Sequence, residues 1–334
     1  MSKNVKNRIM PTILVIIFSV IICIIPVSAK TKEVIIGGEP FGLKLYCKAV
    51  MITNFESFLS DGVKVCPAKK SGLKINDIIL KANNKEVNTN EQLINIVKNS
   101  KGKPVKLSVL RNNNNLYINV KPAYNFNKEY YIGVWVRDSC AGIGTISYYN
   151  PDNKTYGALG HGICDIDTGA IMPSAKGDIL KADITNIEKS SNNNIGSLCG
   201  YFTDKEIGDI KINSPLGLYG STKCVIKKLG KITVAEKSEL KKGNAKILTT
   251  INGTEPKYYN VEITDICNYY KNSNRNFVIK ITDKRLLSKT GGIVQGMSGS
   301  PIIQDNKFTG ALTHVFLEDC QKGYCVLAEN MVNN

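Results

Sequence analysis

Histidine and tryptophan are almost missing from this chain, which has two His and one Trp in 334 residues. Any chemistry that needs an imidazole must therefore use His161 or His314. The ten cysteines are scattered singly with no C-x-x-C pair, so neither a zinc site nor a disulfide framework is signalled. Cys140, Cys164 and Cys325 stand among Gly and Ala, where a small side chain is all that packing requires, and they read as free thiols. No metal site and no cofactor is expected. Anionic charge is also scarce: 28 Asp and Glu face 44 Lys and Arg, a net charge of +16. Such a surplus favours anionic partners such as membrane headgroups, cell-wall polymers or acidic peptides. No basic helix or aromatic–basic interleaving accompanies it, which argues against nucleic acid.

What is present is a folded, soluble composition, 43% apolar and 22% charged, long enough for about two domains. Residues 1–29 stand apart. Lys3, Lys6 and Arg8 form a basic head, an apolar run follows over 11–26, and Val27-Ser28-Ala29 carries the small-residue pattern of a signal-peptidase site. The run suits a cleaved signal peptide or a retained anchor over residues 10–28, and either one exports the remainder.

Residues 34–122 read as a small α/β module. Residues 34–36 and 43–52 look extended, with a Gly37-Gly38-Glu39-Pro40-Phe41-Gly42 loop between them. Ser71-Gly72-Leu73-Lys74-Ile75-Asn76-Asp77-Ile78-Ile79-Leu80 is a turn into an apolar strand, with Asn76 suited to a left-handed backbone. Thr89 and Gln92 form a capping box for a helix carrying Leu93, Ile94, Ile96 and Val97. Residues 105–110 and 116–120 alternate as a hairpin. This stretch resembles a PDZ domain of the bacterial protease type. The resemblance implies that Gly38, Phe41, Gly42 and Leu43 form a peptide-binding loop, and that a peptide tail adds as a strand beside the capped helix.

Residues 130–334 change character: short β-rich runs are separated by Gly, Asn and Asp turns, as in a sandwich or barrel. The strongest motif is Gly296-Met297-Ser298-Gly299-Ser300-Pro301, which matches the G-x-S-G-x-P pattern of chymotrypsin-like proteases. It makes Ser298 a candidate nucleophile, with the N–H groups of Gly296 and Ser298 as oxyanion donors. Gly299 is expected to let substrate approach closely. His161, flanked by Gly160 and Gly162 after a strand, is the candidate base. Thr313, His314 and Val315 fall on the strand that would line the substrate cleft. Several aspartates between His161 and Ser298 are open as the orienting carboxylate: Asp165 and Asp167 lie close to the base in sequence, and Asp283 ends the run 277–281.

The stretch Asp138-Ser139-Cys140-Ala141-Gly142-Ile143-Gly144-Thr145, the Gly160-His161 segment, residues 291–301 and Thr313-His314-Val315-Phe316 together resemble the stage IV sporulation protein B family. These are PDZ-containing serine peptidases of endospore-forming bacteria. The resemblance implies a mainly β fold, with a PDZ-like module preceding a chymotrypsin-like double β-barrel. It carries the triad to His161, Asp283 and Ser298. It also implies peptide substrates, self-cleavage, and cutting of a regulatory membrane protein of an intramembrane protease complex from the forespore intermembrane space. An inactive PDZ scaffold is the rival reading. A general quality-control protease would be expected to carry its protease domain first.

Overall fold

The computed structural model describes residues 32–223, 230–267 and 273–333, so the expected export segment lies outside the described residues. Among the described residues no helix is long and apolar enough to cross a membrane. Strands β1 (Glu33–Ile36) and β2 (Pro40–Phe55) open the fold. β2 runs through two cores: Phe41, Leu43 and Leu45 pack into one apolar cluster, and Val50 and Ile52 into another.

The second of these clusters belongs to a small module. Strands β3 (Phe58–Ser60) and β4 (Val63–Val65) form a short hairpin, and helix α1 (Pro67–Lys70) follows. Then come β5 (Ile78–Ala82), β6 (Lys85–Glu86), helix α2 (Asn90–Asn99), β7 (Val105–Arg111), β8 (Asn114–Val120), β9 (Ala123–Tyr124) and β10 (Tyr130–Tyr131). Local chemistry explains much of it. Asn76 takes φ +70° in the turn before β5. The Thr89 hydroxyl accepts from the Gln92 N–H at 3.2 Å and starts α2, which buries Leu93 and Val97. Asn112 and Asn113, both at positive φ, close the β7–β8 hairpin as two left-handed residues must.

Strand β11 (Val134–Asn150) then returns beside β2, paired from Val134 with Phe55 to Thr145 with Pro40. The module is therefore not a separate N-terminal domain over 34–122. It is inserted at the far end of a long β2–β11 hairpin, and the near end of that hairpin builds the first barrel. The polar stretch at 122–130, which reads as a connector, holds the short β9–β10 hairpin instead, and the chain passes between the two cores along β2 and β11.

The first barrel adds β12 (Thr155–Ala158), β13 (Ser174–Ile187), β14 (Leu198–Ile210), β15 (Ile212–Ser214), β16 (Gly217–Ser221) and β17 (Lys231–Thr233). Its order is β16-β12-β11-β2-β13-β14, and among the described residues the ends meet through an isolated Gly208–Thr222 bridge rather than a paired ladder, so it is partly open. The second barrel contains β18 (Gly243–Thr249), β19 (Lys257–Ile266), β20 (Phe277–Ile281), helix α3 (Lys284–Thr290), β21 (Pro301–Gln304), β22 (Lys307–Val315), β23 (Lys322–Leu327) and helix α4 (Ala328–Val332). It closes as β18-β19-β20-β23-β22-β21. A seam joins the barrels: Val34, Ile36 and Tyr148 of the first pack with Leu248, Phe308 and Met331 of the second.

Candidate active site

The nucleophile loop leaves α3 at Gly291, a left-handed cap with φ +73°. A Cβ there would meet the Ser190 carbonyl oxygen at 2.2 Å, so only glycine fits. Ile293, Val294 and Met297 then bury into the second barrel and pin the turn that presents Ser298. Ser298 is half-buried, and among the described residues neither its N–H nor that of Gly296 donates to a protein acceptor. The Ser298 carbonyl accepts from Thr145 N, and the Gly296 carbonyl accepts from Thr145 Oγ1 at 2.8 Å. Strand β11 of the first barrel thus holds the loop of the second. Gly299, at φ +96°, is required for that contact rather than for substrate, because a Cβ would lie 2.1 Å from the Thr145 carbonyl oxygen.

His161 follows β12 after two left-handed residues, Leu159 and Gly160. Gly160 brings the turn against β22, where a Cβ would meet Thr313 Cγ2 at 2.8 Å. His161 Nδ1 lies 2.8 Å from the Gly162 carbonyl oxygen. A carbonyl can only accept, so the ring hydrogen in this contact sits on Nδ1 and Nε2 keeps its lone pair. Burial lowers the His161 pKa, partly opposed by that hydrogen bond. His314 faces it with ring centroids 4.9 Å apart. Burial first, then His161 and Arg275, lower the His314 pKa to about 4. Both rings are neutral at pH 7.

Ser298 and His161 line one cavity of ≈ 480 Å³, together with Ile143, Arg137, Gln295 and Gly296. The structure brings nucleophile and base to the same space but not into a hydrogen bond: Ser298 Oγ donates to the Thr313 carbonyl at 2.9 Å. Thr313 contributes that carbonyl to the cleft, while its hydroxyl turns away to the Asn274 and Tyr324 carbonyls. Val315 packs against the barrel core rather than into the cleft.

Asp283 is not brought to His161. It caps α3, and Oδ1 accepts from Arg285 N at 2.9 Å. Arg285 Nη2 and Asn260 N donate to Oδ2 at 2.8 and 3.2 Å. The Arg285 hydrogen bond holds this carboxylate well below the usual range, against the opposing effect of burial. The physical reason for the displacement is strand length. Thr313 reaches Asn274, which precedes β20, whereas Asp283 follows it. A five-residue strand puts the two ends about 17 Å apart. Asp165 and Asp167 do not reach the ring either; both carboxylates are paired with Arg137.

The expected peptide-binding loop is also displaced. Phe41, Gly42 and Leu43 lie inside β2 and pair with β11 on one side and β13 on the other, so no edge is free for a ligand strand. Gly38 packs against Leu248 and Pro256 of the second barrel. A groove of ≈ 210 Å³ opens instead between α2 and the segment 130–136, lined by Leu93, Ile94, Val97, Tyr131, Ile132 and Val134. Gly133 there takes φ +75°, and a Cβ would strike the Glu56 carbonyl oxygen at 2.3 Å. The Tyr131-Ile132-Gly133-Val134 run lies beyond residue 122 and so outside the expected module.

Residues 128–332 match the family model described as SpoIVB peptidase S55, and residues 50–121 match a PDZ domain model. Solved structures similar to this chain include the Rv3671c protease of M. tuberculosis in its active form, at 11% identity. That match has a TM-score of 0.34 and covers 58% of this chain and 72% of that one. An inactive form of the same protease matches at 12% identity and TM-score 0.32, over 57% and 81%.

Proposed function

The chain belongs to the SpoIVB peptidase S55 family and is a serine peptidase, and we propose that Ser298 is its nucleophile and His161 its base. The observation that carries this reading is their shared cavity, with the Nε2 lone pair of His161 left uncommitted. For the reaction the Ser298 hydroxyl leaves the Thr313 carbonyl and donates to Nε2 across the shared cavity. The imidazole takes the proton as Oγ attacks a substrate carbonyl, and returns it to the leaving amine. The N–H groups of Gly296 and Ser298 hold the oxyanion that forms. The Gly162 carbonyl takes the part of orienter, fixing the tautomer that the triad carboxylate fixes in related chemistry.

The substrates proposed are proteins and peptides, with an apolar peptide segment held in the groove beside α2. The family and the export pattern of residues 1–29 support the finer reading. In it the enzyme is exported to the forespore intermembrane space, cuts itself, and cuts a regulatory membrane protein to trigger late sporulation signalling. An inactive scaffold is the second reading, favoured by the Ser298 hydroxyl resting on a backbone carbonyl.

A fluorophosphonate probe separates the two. Wild type is expected to be labelled at Ser298, and Ser298→Ala to lose both labelling and proteolysis by several orders of magnitude. A folded wild type that takes no label at Ser298 supports the scaffold and ends the enzyme reading.

A further inference from the structure

The base loop, residues 161–173, leans on one arginine from another part of the sequence. Arg137 Nε donates to Asp165 Oδ2 at 2.7 Å, and Arg137 Nη2 to Asp167 Oδ2 at 2.6 Å. The Asp165 side chain is fully buried. Its other oxygen accepts the N–H groups of Asp167 and Thr168, which shape the loop from within. Burial by itself would raise the Asp165 pKa; the Arg137 and Thr168 hydrogen bonds outweigh it and leave the carboxylate ionised.

Arg137 stands at an irregularity of β11, where the pairing with β2 shifts between residues 137 and 139. Its neighbour Asp138 accepts from Asn90 N at the start of α2. The residue before it, Val136, lines the peptide groove. One strand therefore floors the groove, touches the groove's helix and carries the side chain that ties down the base loop. Bulges that re-aim successive side chains in this way recur beside active sites.

We propose that Arg137 is a positioning residue for His161, holding the base loop through Asp165 and Asp167 so that the imidazole stands against the Ser298 cavity. The inference rests on the reading of Ser298 and His161 as nucleophile and base. A guanidinium suits the task because its planar fork engages two carboxylates at once, which an ammonium does not do. The charged and titratable groups around the His161 ring are His314 across the cleft and Arg137, Asp165 and Cys164 on the cavity wall.

The test is the rate of fluorophosphonate labelling of the full chain at Ser298, measured against pH for wild type, Arg137→Ala, Arg137→Lys and Asp165→Asn, with melting curves for each. Misplacement of the base is expected to slow labelling of Arg137→Ala about 10- to 100-fold at pH 8. The midpoint of its pH profile rises, because unpaired Asp165 and Asp167 favour the imidazolium. Arg137→Lys recovers part of the rate, and Asp165→Asn falls in the same direction as Arg137→Ala. A purely structural role lowers the melting temperature without moving the midpoint. Labelling of folded Arg137→Ala within about twofold of wild type, with an unmoved midpoint, overturns the inference alone. Absence of labelling in wild type removes the enzyme reading, and this inference with it.

Discussion

The nucleophile loop is held by main-chain hydrogen bonds from both barrels, whereas beyond Gly162 the base loop packs Ile163, Ala170 and Met172 into the first barrel's core and takes its hydrogen bonds to neighbouring strands from two side chains. In the first, Gly299 N donates to Leu312 O, Leu312 N to Ser300 O, Gln295 N to Gly196 O and Thr145 N to Ser298 O. In the second, Asn213 holds the backbone of Ile163 and Met172 through its amide, and Arg137 holds Asp165 and Asp167. Each loop has a buried anchor, Met297 in the first and Met172 in the second, while Ile166 at the tip of the second is 89% exposed. A backbone-held loop changes only when strand pairing changes. The ties that Asn213 and Arg137 give the base loop can be removed by single side-chain substitutions, so the base loop is the more open of the two to mutation.

The largest effect that sharpens this contrast is expected at Gly299. Alanine there must accept a left-handed backbone and a Thr145 carbonyl oxygen 2.1 Å from its Cβ. Gly299→Ala is expected to cost at least about 2 kcal/mol in denaturant unfolding and to abolish labelling of Ser298. An alanine variant as stable and active as wild type would show that the loop yields as readily as its counterpart.

Asp283 gives a smaller effect that separates a cap from a triad member. Asparagine still caps α3, so Asp283→Asn is expected to keep labelling within about tenfold of wild type, with a modest fall in melting temperature. A loss of about four orders of magnitude is the mark of a triad carboxylate. It would require that the resting arrangement rearranges around His161.

The smallest effect is on pH. His161 and His314 both resist protonation in the fold, His314 down to about 4. Unfolded histidines bind protons near pH 6.5, so below that value the unfolded chain binds more protons than the folded one. Their contribution to stability is therefore complete above about pH 6.5 and is lost as pH falls toward 4. Melting curves between pH 8 and 5 are expected to decline by a few degrees, and labelling to follow neutral His161 with a midpoint below about 6.5. A melting temperature that rises on acidification would contradict the buried, neutral pair.

The sequence alone determined the features whose causes lie within a few residues. The turn at Ser298 needs Gly296 and Gly299 where they stand, α2 begins at its Thr89 cap, the β7–β8 hairpin turns on two asparagines, and a chain with two histidines leaves little choice of base. Tertiary structure decided everything that depends on which strand lies beside which. The extended run at 43–52 was legible as strand, but not that the strand takes in residues 40–42 of the expected loop or that its halves feed two cores, because a strand carries the same alternation whatever partner it finds. That hid the insertion of the module and the groove between α2 and residues 130–136, while residues 41–43 were taken up inside a sheet. Asp283 shows the same limit: an aspartate after a strand reads alike as a helix cap or as a histidine's partner. Only the closed barrel, which sets Asp283 beside Arg285 and Asn260 at the end of β20 away from Asn274, separates the two.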